Sequence, residues 1–140
     1  MTISIFIPGE PVSKGRPRVY RTAKGIRGVT PEKTRNYEAA VQLLARQVMA
    51  GSSPMQEAIG VTIDAKFTIP KSWKKDDRQA AAYGLMAHTK RPDIDNVVKA
   101  VLDGMSGIVF NDDSQITALN ARKRYSTQPG LTVTVWEAVI

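Results

Sequence analysis

The sequence Lys90-Arg-Pro-Asp-Ile-Asp-Asn-Val-Val-Lys99 joins an extended segment to a helical pattern that continues to Met105. On a helix that turns about 100° per residue, one arc collects the apolar side chains Val97, Val98, Val101, Leu102 and Met105. We predict a helix that begins after Asp95 and buries this arc. Asp95 is also a good N-cap residue, so a purely structural role would explain it.

The opposite face of this helix collects the polar side chains Asp95, Asn96, Lys99 and Asp103. A solvated helix would show the same face, with weak pairs between Lys99 and the aspartates four residues away on either side. Asp93 and Asp95, however, lie two residues apart after Pro92, and like charges held that closely favour a bound divalent cation. This arrangement favours a metal site over a merely charged helix.

A third carboxylate follows the helix. The pair Asp112-Asp113 comes after the apolar run Ile108-Val109-Phe110, where the chain would return across the N-terminal end of the helix. Carboxylates suit hard cations, whereas zinc prefers Cys and His, and the sequence has no Cys and only His88. We therefore predict Mg²⁺, with Mn²⁺ as a substitute, and interpret His88 as a surface residue.

Composition limits the class of protein. At 140 residues the chain is predicted to form a single domain, residues 1–140. No segment approaches the ~20 apolar residues of a membrane helix, and the start Met1-Thr-Ile-Ser-Ile-Phe-Ile7 is typical of a strand and not of a signal peptide. Without cysteine there is no disulfide framework, so we expect a soluble, cytoplasmic protein.

The net charge of +7 indicates an anionic partner. Between positions 14 and 35 a predicted basic loop carries Lys14, Arg16, Arg18, Arg21, Lys24, Arg27, Lys33 and Arg35 against only Glu32. A second basic cluster is Arg122-Lys123-Arg124. A solvated charged surface is the alternative, but the excess of arginine in the loop favours phosphate recognition.

Periodicity predicts the element order β, α, β, α, α, β, β. The segments are a strand over 2–7, a helix capped by Thr30 that runs to about Ala50, a strand over 61–69, a polar exposed helix from Ser72 to about Met86, the motif helix, and strands over 116–125 and 131–138. Parallel strands need a crossover between every pair, so this order predicts an α/β (α+β) fold: a small mixed sheet of about four strands with helices packed on it.

The two motifs resemble a known family. Residues 91–105 and the sequence Asn111-Asp-Asp-Ser-Gln-Ile116 look like the signature of the RusA family of Holliday junction resolvases, small endonucleases common in prophages. Gly9-Glu-Pro-Val-Ser-Lys-Gly-Arg-Pro-Arg18 resembles the family's opening, and the likeness covers essentially the whole chain. It implies one RusA-like domain, a homodimer, and Mg²⁺-dependent nicking of four-way DNA junctions in recombination and repair.

The resemblance also implies site residues by motif position. Asp93, Asp95 and Asp113 would hold the metal, and Lys99 would be essential to cleavage. Supporting roles are expected for Asn96, Asp103 and Asp112. DNA contacts are expected from the basic segments: Lys14, Arg16, Arg18, Arg21, Arg27, Arg122 and Lys123. The spacing between the motif helix and Asp112 departs slightly from the family, and the segment 72–88 resembles it least.

Three other functions remain to be weighed. A less selective nuclease for flaps or branched phage DNA would use the same site, and a non-catalytic junction-binding protein would use the basic surface alone. A small-molecule phosphohydrolase is disfavoured because the sequence has no glycine-rich phosphate loop. Two interpretations of the aromatic residues are open. Either Tyr20, Trp73 or Tyr125 stacks on an opened branch point, or Trp73 and Tyr125 are buried in the core.

Overall fold

The computed structural model of the chain describes residues 1–15, 18–29 and 31–138. Two predicted positions, the DNA contact Arg16 and the helix cap Thr30, lie outside these residues. The side chains of Arg18, Tyr20 and Arg27 also lie outside the described part of the chain.

Three helices and six strands make up the described fold. In chain order they are β1 (Thr2–Pro8), β2 (Arg18–Thr22), β3 (Gly25–Val29), α1 (Glu32–Met49), β4 (Ile59–Thr68), α2 (Lys75–Ala82), α3 (Ile94–Met105), a 3₁₀ turn (Asp113–Gln115), β5 (Ile116–Ser126) and β6 (Gly130–Glu137). The main sheet has the order β1-β6-β4-β5. Its β4–β5 pair is parallel and the other pairs are antiparallel, which confirms the predicted mixed sheet of four strands.

The core lies between this sheet and the helices α1 and α3. Alternation along β4 buries Val61, Ile63, Ala65 and Phe67, as predicted. Helix α3 buries the predicted apolar arc against α1. At Gly104 an added Cβ would lie 2.7 Å from the side chain of Val41, so glycine permits this close approach of the two helices. The polar face of α3 is thereby left at the surface.

The start of α3 differs from the prediction. Asp93, and not Asp95, is the N-cap residue: its backbone is extended (φ −69°, ψ 143°), and its carbonyl accepts the first helical hydrogen bond from the amide of Val97 at 3.2 Å. The N-cap lies two residues earlier than predicted, because Ile94, Asp95 and Asn96 are exposed and fall outside the buried arc on which the prediction relied. Asp95 lies within that first turn.

The predicted basic loop contains a hairpin. Strands β2 and β3 pair antiparallel from Arg18↔Val29 to Thr22↔Gly25. Gly25 has φ +116°, a conformation that favours glycine at the turn. Sequence periodicity missed the hairpin because the apolar side chains described on it are exposed: Val19 and Ile26 are 68% and 69% exposed.

The polar helix α2 is shorter than the predicted 72–86. Its C-terminal end is set by Gly84, which has φ +74° and whose amide donates to the carbonyl of Ala81. The helix is exposed as predicted, and Ala81 is its buried residue. None of the helices in the described residues has the length and apolar character required to cross a membrane.

Candidate active site

The N-terminal end of α3 presents two exposed carboxylates. Asp93 occupies the N-cap position, yet its side chain makes no capping hydrogen bond. Asp95 is in the first turn of the helix and is also exposed. A capping role therefore accounts for neither carboxylate, although capping was the structural alternative for this motif. Both groups are available to bind a ligand in front of the helix.

A chain of ion pairs holds Lys99 beside them. The Lys99 Nζ lies 3.0 Å from Oδ1 of Asp103, one helical turn further on. The other oxygen of Asp103 lies 3.2 Å from Nζ of Lys14, which also pairs with Glu38 of α1 at 2.6 Å. Asp103 therefore lies between two ammonium groups, and Lys99 remains 52% exposed.

Lys14 belongs to this network and not to a free basic surface. Its amide donates to the carbonyl of Asn96 at 2.8 Å, which joins the N-terminal segment to α3. Burial disfavours the charged ammonium, but hydrogen bonds to Glu38 and Asp103 outweigh it and raise the pKa of Lys14 above its usual value. The Lys14 ammonium group is thus ion-paired with two carboxylates, and the contact of Lys14 with DNA stays a prediction.

The Asp112-Asp113 turn comes into the electrostatic field of Lys99. Asp112 caps the 3₁₀ turn by accepting a hydrogen bond from the amide of Ser114 at 3.0 Å. Hydrogen bonding to Ser114 is the main cause that lowers the pKa of Asp112, and the positive charge of Lys99 lowers it further. Asp113 follows as an exposed carboxylate at the start of the turn. Asp112 therefore stabilises the turn that carries Asp113, and its supporting role in cleavage stays a prediction.

Gln115 secures this turn, a role that the sequence analysis missed. Its side-chain oxygen accepts from the amides of Asn111 and Asp112, both at 2.8 Å. Its side-chain nitrogen donates to the carbonyls of Met55 and Glu57 at 2.8 and 3.0 Å. The capping-box spacing of Asp112 and Gln115 is the sequence signal that predicts it. Gln115 therefore fixes the backbone of the turn that carries Asp113.

The three predicted metal ligands are not joined in one cage. Within residues 1–15, 18–29 and 31–138, no three acidic or histidine side chains form a group that could hold a metal ion. None of Asp93, Asp95 and Asp113 forms an ion pair in this part of the chain, whereas Asp103 and Asp64 do. As donors, three unpaired carboxylates suit a hard cation such as Mg²⁺. Their convergence on one ion stays a prediction.

Lys123 of β5 holds the segment that leads into Asp93. Its Nζ donates to the carbonyl of Lys90 at 2.8 Å and to the carbonyl of Pro92 at 2.9 Å. Ala87 forms an isolated antiparallel bridge with Arg124, so the same segment is also attached to β5 through its backbone. The DNA contact predicted for Lys123 stays a prediction. The structure shows a different interaction, in which the Lys123 ammonium ties β5 to the loop before the aspartates.

The other described cations of the basic surface differ in whether they pair with a carboxylate. Arg122 and Arg124 both bond Asp64 of β4, and their side chains remain 65% and 46% exposed. The hydrogen bond from Arg124 is the main cause that lowers the pKa of Asp64. Arg21 is exposed on β2. These arginines are accessible to an anionic partner.

His88 is not a surface residue, contrary to the prediction. It is only 9% exposed, and its ring stacks on Phe67 with centroids 4.3 Å apart and lies 4.7 Å from Tyr125. Burial, and then the nearby charge of Lys123, lowers the pKa of His88. Tyr125 is 6% exposed, so the core interpretation holds for Tyr125, whereas Trp73 packs edge-on against it at 5.1 Å and is only half-buried. Long-range packing, which no local pattern encodes, explains the error.

Comparisons with known proteins show the family of the chain. A family model described as Endodeoxyribonuclease RusA matches residues 8–136, a span that includes every residue of the candidate site. The chain is also 34% identical over 140 residues to a Bacillus subtilis (strain 168) protein named "Uncharacterized protein YqaN", with 96% of each chain covered.

Proposed function

The chain belongs to the endodeoxyribonuclease RusA family, and from that premise we propose that it is a Mg²⁺-dependent endonuclease that resolves four-way DNA junctions by paired, symmetric nicks. Membership of the family establishes the nuclease class. The metal, the junction as substrate and the pairing of the nicks belong to the proposal.

One observation carries the proposal. At the exposed start of α3, an N-cap aspartate leaves its carboxylate uncapped, a second carboxylate follows two residues later, and Lys99 is held on the same helix by Asp103. Carboxylates next to an oriented ammonium group are the arrangement that phosphoryl chemistry requires.

The residues proposed to hold Mg²⁺ are Asp93, Asp95 and Asp113. When bound, the ion supplies an activated water and neutralises charge on the phosphate. The chain's own contribution is orientation. Helix α3 presents Asp93 and Asp95. The hydrogen bonds of the Gln115 side chain, which we call the Gln115 clamp, hold the turn that carries Asp113. Lys123 fixes the backbone before Asp93.

Lys99 is proposed to stabilise negative charge on the phosphate or on the leaving 3′ oxygen. Its ammonium has one carboxylate partner, Asp103, at 3.0 Å and is half-exposed, so other donors remain free for a phosphate. The pairing with Asp103 limits the positions that the ammonium can adopt, which reduces the reorganisation needed when substrate binds.

Two nicks of the same polarity are related by a two-fold axis, so we propose a symmetric homodimer with two active sites, acting on DNA in the cytoplasm. The exposed arginines on β2 and β5 support binding to the phosphate backbone. Such contacts recognise shape and lose affinity as the salt concentration rises.

The test is cleavage of labelled synthetic four-way junctions, flaps and duplexes, in Mg²⁺ and in EDTA. We expect paired nicks confined to the junction in Mg²⁺ and no product in EDTA. Asp93→Asn should abolish cleavage while junction binding persists. Lys99→Met should reduce the cleavage rate by about 10²- to 10³-fold.

Each alternative predicts a different result. Cutting of flaps and branched duplexes as fast as junctions would support the less selective nuclease. Tight junction binding with no Mg²⁺-dependent product would support a non-catalytic binding protein. Asp76→Asn, which removes an exposed carboxylate from α2, is the matched control for Asp93→Asn.

A further inference from the structure

A cationic cleft, separate from the candidate active site, lies between α2 and the ends of the parallel strands β4 and β5. It has a volume of about 450 Å³. Among the side chains that line it are Lys71, Lys75, Arg78, Ser126 and Thr127, and no carboxylate lines it. No sequence motif predicts a function for this surface.

Helix α2 separates its charges between two faces. Lys75, Arg78, Gln79 and Ala82 are spaced i, i+3, i+4 and i+7, so they share one helix face, and all four line the cleft. The acidic residues Asp76 and Asp77 lie outside the lining. The helix carries no net charge in sequence, which is why composition alone left its role open, but the face in the cleft is cationic.

The cations of the cleft are free to bind an anion. In the described part of the chain, none of Lys71, Lys75 and Arg78 forms an ion pair. Lys14, Lys99, Arg122 and Arg124 all have carboxylate partners. Ammonium, guanidinium and hydroxyl donors without a competing carboxylate are the groups that bind phosphate oxygens.

The cleft is close to the candidate active site along β5. Ser126 lies three residues beyond Lys123, which is about 10 Å along a strand, and Lys123 bonds the carbonyl of Pro92, the residue before Asp93. Since base pairs rise about 3.4 Å each, a duplex that extended from the aspartates along β5 towards Ser126 would reach the cleft after several base-pair steps.

We propose that this cleft binds the sugar–phosphate backbone of DNA that flanks the cleavage point. The inference rests on the proposed function in taking DNA as the substrate, and it adds α2 as a DNA-binding element. Lys75 and Arg78 hold neighbouring phosphates from the helix side, and Lys71 holds them from the end of β4.

The test compares Lys75→Gln/Arg78→Gln with the control Lys74→Gln/Arg46→Gln, which removes the same two charges from exposed positions outside the cleft. Junction and duplex affinities are measured in EDTA over a range of salt concentrations. We expect the cleft variant to bind at least about tenfold more weakly at low salt and its log–log salt slope to be less steep by about two. The control should retain most of its affinity, and circular dichroism should show that both variants are folded.

Equal affinity and salt slope for the two variants would overturn the inference. A second pair of results would also overturn it: inorganic phosphate shifts the amide resonances of residues 71–79, and the cleft variant binds DNA as tightly as the wild type. The cleft would then be a site for a free anion and not for DNA. A wild-type protein that binds no DNA would also overturn it.

Failure of the proposed function gives a different pattern. Binding in EDTA requires no cleavage, so a protein that never cuts junctions but depends on Lys75 and Arg78 for DNA affinity would sink the nuclease proposal and leave the cleft in place.

Discussion

Lys99 and Asp103 form an ion pair of 3.0 Å across one turn of α3, and Lys14 holds the same carboxylate from the other side at 3.2 Å. Because Lys14 is in turn paired with Glu38 of α1, the position of Lys99 is linked to the packing of α1 against α3. The group proposed for charge stabilisation is therefore oriented by the core of the protein.

Asp103→Asn should slow cleavage by about 10- to 100-fold, because Lys99 loses the carboxylate that orients it. Junction affinity should stay the same or rise slightly, since a negative charge is removed. Single-turnover cleavage and equilibrium binding separate the two effects. Asp76→Asn is the control for charge, and a wild-type cleavage rate for Asp103→Asn would show that the pair does not position Lys99.

Lys123→Met should lower the cleavage rate with little change in the salt slope of DNA binding, because it removes the hydrogen bonds to the carbonyls of Lys90 and Pro92. Amide hydrogen exchange over residues 89–95 should accelerate. Lys90→Met is the matched control, since it removes a charge from the same loop and leaves the tether intact. A reduced salt slope with unchanged exchange would instead assign Lys123 to phosphate contact.

Gln115→Glu should destabilise the turn that carries Asp113. The glutamate keeps the acceptor for the amides of Asn111 and Asp112 but loses the donor to the carbonyls of Met55 and Glu57. We expect a loss of about 1–3 kcal/mol in the free energy of unfolding and a lower affinity for Mn²⁺ in the presence of DNA. Denaturant titration checks the first effect, and unchanged stability would argue against the clamp.

Asp64 gives a prediction for the pH dependence of stability. Its pKa is depressed below the usual 3.8, chiefly by the hydrogen bond from Arg124. A depressed folded-state pKa adds stability that is complete above pH 3.8 and is lost as the pH falls through the folded value. Asp64→Asn should therefore be less stable than wild type by about 1 kcal/mol at pH 7, a small value because both arginines are substantially exposed.

The difference between the two proteins should shrink as the pH falls below 3.8. Urea midpoints at a series of pH values measure it. A difference that is constant from neutral to acid pH would mean that charge pairing is not the origin of the effect.

Much of the fold is predictable from local periodicity. Alternation along β1 and β4 identified both strands, and the apolar arc of α3 identified its buried face, because each of these elements buries one face in a single core. The hairpin β2–β3 was missed for the converse reason: its described apolar side chains, Val19 and Ile26, are exposed and follow no buried pattern. The end of α2 was predicted too late because the helix was continued past Gly84, although a glycine with positive φ is itself a signal that a helix ends.

The candidate site was predictable in composition but not in geometry. The DxDN motif and the Asp112-Asp113 pair indicated which carboxylates to consider. The tethers made by Lys14 and Lys123 join residues far apart in sequence, so each lysine looked like part of a charged surface. The stacking of His88 on Phe67 has the same origin in long-range packing.

The most direct test of the central claim is Mn²⁺ titration of the protein bound to an uncleavable junction, with paramagnetic broadening of the amide resonances as the readout. One ion held by three carboxylates predicts simultaneous broadening around Asp93, Asp95 and Asp113, and loss of the broadening near Asp93 and Asp95 in Asp113→Asn. Broadening confined to one of the two segments, or none at either, would contradict the shared metal site.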